Sequence, residues 1–163
     1  MAKKDKHVKT NALRMVESAG MEYELLEYDV SGGFVSGVDA AEKTGRNPEE
    51  VYKTLVTVAN TKENIVFVIP VAEELDLKKA ARVAGVKKIE MIPMKTLTQV
   101  TGYIKGGCSP VGMKKQFPTF IDDTAEGLEK IYVSAGKPGM SMLVDTMKLA
   151  DLIDARFGNV TAN

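Results

Sequence analysis

Apolar positions along this chain follow two rhythms, one helical and one strand-like. Leu13, Val16 and Ala19 recur at helical spacing between Thr10 or Asn11, as N-cap, and Gly20, which predicts a first helix. Tyr23 to Val30 alternates enough to predict a strand, and the glycine-rich Ser31 to Gly37 a loop suited to a lid or a plain connection. Asp39 can cap a short helix through Ala40, Ala41 and Lys43 that Gly45 closes, and Asn47-Pro48-Glu49-Glu50 reads as a turn or a helical turn. Val51 to Ala59 and Asn64 to Val71 form the clearest strand pair, joined by a hairpin loop at Asn60-Thr61-Lys62-Glu63. A helix from Asp76 carries Leu77, Ala80, Ala81 and Val83 and stops at Gly85. Ile89 to Ile92 is a short strand, and Pro93 opens a helix carrying Leu97 and Val100. Thr119 to Asp122, Ile131 to Ser134 and Met140 to Val144 predict strands. Asp145 or Thr146 caps a last helix with Leu149, Ala150, Leu152 and Ile153, ended by Gly158.

This order mixes hairpins with helices and lacks a regular strand–helix–strand alternation. It predicts an α+β fold, a single domain with a mixed, strongly curved, barrel-like β-sheet flanked by helices. The 163 residues show no internal repeat or linker, so residues 1–163 read as one domain, with 1–9 a flexible start. The longest apolar run, Ile65 to Val71, has strand length, and the basic start MAKKDKHVKT lacks the apolar segment of a secretory signal. A protein without membrane association, in a reducing cytoplasm, is the expectation.

Composition narrows the chemistry. Lysine plus arginine (22) equals aspartate plus glutamate (22), so nucleic-acid binding would have to rest on local patches. Positive charge gathers at Lys78, Lys79, Arg82, Lys87 and Lys88, and again at Lys105, Lys114, Lys115 and Lys137; solvated faces account for either group taken alone. Cys108 and His7 are the only residues of their types, which removes an internal disulfide and the usual zinc ligand sets. Cys–His and Ser–His nucleophile pairs are removed too, unless His7 folds back over the domain. Asp122 and Asp123 could hold magnesium, although two acids ahead of Thr124 more often make a turn or cap. Catalysis, if present, works without a conventional base, metal or cofactor.

Three stretches stand out. In Val51-Tyr52-Lys53-Thr54-Leu55-Val56 a lysine interrupts a strand, and by period two it shares a side with Leu55 and Thr57, so a solvent role and a functional one are both open. Thr101-Gly102-Tyr103-Ile104-Lys105-Gly106-Gly107-Cys108-Ser109-Pro110-Val111-Gly112-Met113-Lys114-Lys115 is an irregular loop whose backbone amides can approach a phosphate or a developing oxyanion, or simply turn the chain. Val133-Ser134-Ala135-Gly136-Lys137-Pro138-Gly139 is a strand end and tight turn, or a plain hairpin connection.

In this order and spacing the three stretches resemble the YbaK (YbaK/EbsC) family, which also includes the editing domain of bacterial prolyl-tRNA synthetase and its freestanding relatives. Asp39-Ala40-Ala41-Glu42-Lys43 and Leu77-Lys78-Lys79-Ala80-Ala81, leading into Gly85-Val86-Lys87-Lys88-Ile89-Glu90-Met91, support the resemblance, which runs from about Ala12 to Phe157. It implies an aminoacyl-tRNA deacylase that removes mischarged cysteine from tRNA(Pro), and also acts on Cys-tRNA(Cys), with the acceptor end of the tRNA and prolyl-tRNA synthetase as candidate partners. Lys53 matches a lysine needed for deacylation that holds the terminal adenosine, and Gly106 a glycine whose backbone lies against the ester carbonyl. Thr54, Gly107, Ser109, Pro110, Gly112, Ser134 and Gly136 match the pocket motifs, Tyr28 a tyrosine near the first strand, and Lys114 and Lys115 are candidates for the acceptor end.

Two positions depart from the family pattern. An aromatic residue usually precedes the Asp39 helix, where Phe34-Val35-Ser36 places Ser36 nearest and Phe34 in a shifted loop. The position between Gly107 and Ser109, usually aliphatic, is Cys108, read as a small buried hydrophobe and not a nucleophile. For the cysteine-specific branch the resemblance implies attack by the substrate's own thiol on its ester, giving a cyclic thioester. A freestanding editor of alanine or another small amino acid, and a non-catalytic module that binds tRNA or a synthetase, are the alternatives.

Overall fold

The computed structural model describes residues 9–28 and 37–162. The chain forms α1 (Asn11–Ser18), β1 (Tyr23–Glu27), α2 (Gly37–Lys43), β2 (Tyr52–Ala59), β3 (Asn64–Pro70), α3 (Leu77–Ala84), β4 (Ile89–Met91), α4 (Leu97–Thr101), β5 (Thr119–Asp122), β6 (Lys130–Lys137), β7 (Met140–Asp145), α5 (Thr146–Leu152) and β8 (Arg156–Gly158). Caps stand where polar residues precede apolar periodicity. The Thr10 hydroxyl accepts from Leu13 N, and the Asp76 and Asp145 carboxylates accept from Lys79 N and Lys148 N.

The strands divide into two sheets. One has the order β1-β7-β6 and is antiparallel throughout; the other has the order β4-β2-β3-β5-β8, with β3, β5 and β8 parallel. The α+β class stands, but the barrel-like curvature expected from the sequence does not. Neither sheet closes, and between them Val51 and Tyr132 form only an isolated bridge. The reason lies in β3, which is apolar on both faces and so needs a layer on each side. Ile65, Phe67 and Ile69 pack beneath Ala80 and Ala81 of α3. Val68 joins a larger core with Leu13 and Val16 of α1, Ile131 and Val133 of β6, Met142 and Val144 of β7, and Leu149 of α5. Burial comes from layering.

Two local expectations are corrected. Helix α2 opens at Gly37, so Asp39 sits in its first turn and is not the cap. Helix α5 ends at Leu152, and Arg156–Gly158 then pairs in parallel with β5. A Cβ on Gly158 would lie 2.8 Å from Val83 Cγ1, so this glycine admits α3 close to the sheet. Asp122 is a cap and clamp: its carboxylate accepts from Thr124 N and, 38 residues on, from Val160 N. No helix of the described residues is long and apolar enough to cross a membrane.

The glycine-rich segment after α4 is fastened by Tyr103. Its hydroxyl donates to Val111 C=O at 2.6 Å and accepts from Ala12 N–H. Gly112 (φ +80°) lies against the amino end of α1, where a Cβ would come within 2.8 Å of Ala12 N and Tyr103 Oη. Gly136 (φ +102°) faces the edge of the Tyr103 ring, and the Thr10 hydroxyl donates to the neighbouring Ala135 C=O. Tyr103→Phe leaves the buried Val111 carbonyl without its partner, which should cost about 1–3 kcal/mol. Denaturant unfolding measures it, and an unchanged midpoint would show that this hydroxyl ties nothing together.

Candidate functional site

Strand β4 covers only the Thr57–Ala59 end of β2, and Ile92 N donates to Val56 C=O just beyond it, so Lys53 to Leu55 run past along an open edge. That edge forms one wall of a cavity of about 300 Å³. Met91, Ile92, Met94 and Leu97 close one side; Lys105, Gly106 and Cys108 of the glycine loop close another. Ser134 and Ser141, cross-strand partners in the other sheet, also line it, as do Tyr28, Ala40 and Arg46. The cavity therefore sits where the two sheets part.

Lys53 is half-buried, and burial lowers its pKa from the usual 10.5, while nearby Glu74 and Glu73 oppose that shift. Thr54 Oγ1 is buried without a hydrogen-bond partner, a polar atom in the lining that a ligand group could satisfy. Ser134 Oγ accepts from Gly136 N at 3.1 Å, which leaves its own O–H to donate elsewhere. The third motif is the end of β6 and the tight Pro138–Gly139 turn into β7, as the sequence suggests, with a register shift between Ser134 and Lys137 that bends the strand end. Its turn meets the glycine loop directly: a Cβ on Gly107 would stand 2.7 Å from Pro138 N.

The structure thus brings Lys53, Thr54, Gly106, Ser134 and Tyr28 to one cavity. It places the other motif residues behind that lining. Gly107 and Pro110 are buried, Ser109 is fully buried with its Oγ accepting from Val111 N, and Gly112 and Gly136 meet α1 and Tyr103. Lys114 and Lys115 are exposed outside it, Lys114 Nζ donating to Gln99 C=O and Lys115 Nζ 5.9 Å from the Phe117 ring centroid. Phe34, Ser36 and His7 lie outside the described residues.

Sequence reasoning missed Arg46. This residue is only 8 % exposed, yet it lines the cavity. Gly45 (φ +74°) reverses the chain after α2 and turns it inward, where its guanidinium stands 4.9 Å from the Tyr132 ring centroid and 5.6 Å from that of Tyr28. The only available signal was a lone arginine just after a helix-stopping glycine, which resembles an ordinary surface position. The described lining holds three cations, Arg46, Lys53 and Lys105, and no carboxylate or imidazole. Such a wall favours an anion or a developing negative charge.

Comparison with known proteins places the chain. Residues 33–152 match the aminoacyl-tRNA editing domain family. A protein of Enterococcus faecalis (strain ATCC 700802 / V583), provisionally named Cys-tRNA(Pro)/Cys-tRNA(Cys) deacylase EbsC, is 45 % identical over 161 residues, covering 99 % of this chain and 98 % of that protein. A solved structure described provisionally as a trans-editing enzyme for prolyl tRNA synthetase superposes with a TM-score of 0.82 at 22 % identity, covering 96 % of this chain and 100 % of the other. A scaffold protein for presenting linear epitopes has a TM-score of 0.81 at 21 % identity, covering 96 % of this chain and 99 % of its own.

Burial pushes the Cys108 thiol up to about 11. At neutral pH it is protonated and packs as a small apolar group between two parts of the core. Alkylation by iodoacetamide at pH 8 should run roughly a hundredfold slower than for an ordinary thiol. Alkylation at the rate of free cysteine would reveal an activated thiol.

Proposed function

This chain belongs to the aminoacyl-tRNA editing domain family, of the YbaK/EbsC type, and from that premise we propose that it removes cysteine from mischarged tRNA(Pro), and from Cys-tRNA(Cys), by a reaction the substrate's own thiol begins. The observation that carries this reading is the lining itself: Lys53, Thr54, Gly106 and Ser134 face one cavity whose described lining offers no carboxylate or imidazole to serve as a base. A substrate that brings its own nucleophile fits such a site. About a few per cent of a free thiol is ionised near neutral pH, whereas a serine hydroxyl is not.

The cysteinyl Sγ attacks the ester carbonyl carbon. An S–C bond forms, the ester C–O bond breaks, and the proton lost by the thiol ends on the ribose hydroxyl of the released tRNA. The other product is a four-membered cyclic thioester. Lys53 holds the terminal adenosine with its charge, and Thr54 Oγ1 and Ser134 Oγ orient the ribose and ester. The Gly106 backbone supports the carbonyl oxygen as charge develops on it. Tyr28 closes the far side of the cavity. Gly107, Ser109, Pro110, Gly112 and Gly136 serve substrate binding by holding the lining in place. Lys114 and Lys115, exposed beside the loop, supply charge for the acceptor end, which makes the rate fall as salt rises.

The test charges one proline tRNA with cysteine, serine or alanine and follows loss of the ester. Cysteine should be lost fastest, with the cyclic thioester trapped, and Lys53→Ala should lower kcat/KM by roughly a hundredfold or more. Faster loss of alanine would move the protein to the editing of small, thiol-free amino acids, and no loss from any substrate would leave a tRNA- or synthetase-binding module. The pH profile is a second test. The rate should rise as the substrate thiol ionises, about pH 8.5 for an ordinary thiol. It should then fall at a pH below 10.5, because burial lowers the Lys53 pKa and the ammonium is lost early. A rate still climbing at pH 10.5 would remove the Lys53 charge from the mechanism.

A further inference from the structure

Arg46 is the one lysine or arginine classed as buried among the described residues. Its Nε donates to Thr44 Oγ1 at 2.7 Å, and that hydroxyl in turn donates to Ala40 C=O at 2.8 Å, so the side chain is anchored to the last turn of α2. Its Nη1 is buried and has no hydrogen-bond partner. No carboxylate of the described residues forms an ion pair with it. A guanidinium stays charged in a protein, and a buried charge is ordinarily paired. The rings of Tyr28 and Tyr132, and a hydrogen bond to Tyr28, offset part of the cost of burial, but they leave Nη1 without a partner. An anchored, permanently charged fork with an unused donor therefore lines a cavity that holds two further cations and no described acid.

We propose that Arg46 is a phosphate-binding residue of this cavity, taking a phosphodiester of the tRNA 3′ end through its unpartnered Nη1. The nature of the nucleic acid rests on the deacylase reading; recognition of a phosphate by this residue does not. An aminoacyl-tRNA ester carries no carboxylate, since that group is esterified, so its phosphodiesters are the anions it can offer. A planar guanidinium matches two phosphate oxygens in a way an ammonium does not. Arg46 thereby sets a preference for nucleotide over nucleoside at the reacting end of the substrate.

The experiment compares 5′-AMP with adenosine by calorimetric titration at low salt, on the wild-type protein, Arg46→Met and Arg46→Lys, with melting temperatures for each. The wild type should bind AMP about tenfold or more tightly than adenosine, as one charge-assisted hydrogen bond predicts. Arg46→Met should lose most of that preference while its adenosine affinity and melting temperature hold or rise, since it replaces a buried unpaired charge with an apolar chain. Arg46→Lys should keep part of the preference, and it remains informative if the methionine variant fails to fold. Absence of an AMP preference in the wild type overturns the proposal, as does a preference unchanged in both variants. Free cysteine bound more tightly than cysteine amide, with that difference lost in Arg46→Met, would assign the fork to an amino-acid carboxylate and overturn it as well. Deacylation can fail while the AMP preference stands, so the two readings are separable.

Discussion

The backbone of the glycine loop lies against the Lys137–Pro138 turn and the amino end of α1 with no side chain between them. Contact at Gly107 and Gly112 is closer than any Cβ allows, and the Tyr103 hydroxyl bridges Val111 and Ala12 at the same junction. Here a loop from one part of the chain, a bulged strand from another and the first helix share one packing site. Gly106 faces the cavity beside Gly107, which this contact holds against the Lys137–Pro138 turn. The bulge at Ser134 to Lys137 belongs to the same junction, since Gly136 has room only for hydrogen where Tyr103 and Thr10 meet it. Close backbone approach explains why two glycine motifs so far apart in sequence occur together.

The cavity follows from an incomplete strand. Were β4 as long as β2, its backbone would cover the Lys53–Leu55 edge and the two sheets would meet without a gap. Instead β4 pairs with only Thr57 to Ala59, and the edge beyond it opens toward Ser134 and Ser141. Polar groups left there are costly to the fold alone: Thr54 Oγ1 and Arg46 Nη1 are both buried and unpartnered. Two of the three such side-chain atoms among the described residues lie in this one cavity, the third being Thr146 Oγ1 at the start of α5. Stability is given up where recognition gains from it.

Much of the fold was legible in the sequence because its signals are local. Thr10 and Asp145 are each one of two residues read as caps, Asp76 is read as a helix start, and all three act as caps; the β2–β3 hairpin announces itself through β-branched residues around a short polar loop. What failed to show depends on distant partners. Strand β8 has three residues and gains its identity only by lying beside β5, so Gly158 looked like a helix stop. The split into two sheets depends on which strands bury which face, and apolar spacing alone allows a curled sheet as readily as a layered one. Lys53, Gly106 and Ser134 stood out through motif context. Arg46 did not, because its burial arises from Tyr132, which lies 86 positions downstream in sequence.

The same cavity places a protein thiol beside the reaction proposed for a substrate thiol, and the two would compete if both ionised. A thiolate at Cys108 could attack the ester and hold the acyl group on the enzyme as a thioester. Burial prevents this by keeping Cys108 protonated to about pH 11, so near neutral pH its thiolate fraction is roughly a hundredfold below that of an ordinary thiol. A substrate thiol that reaches the cavity with an ordinary pKa has the advantage by that factor. Position 108 can thus hold a cysteine without entering the proposed chemistry, provided the packing that raises its pKa is kept.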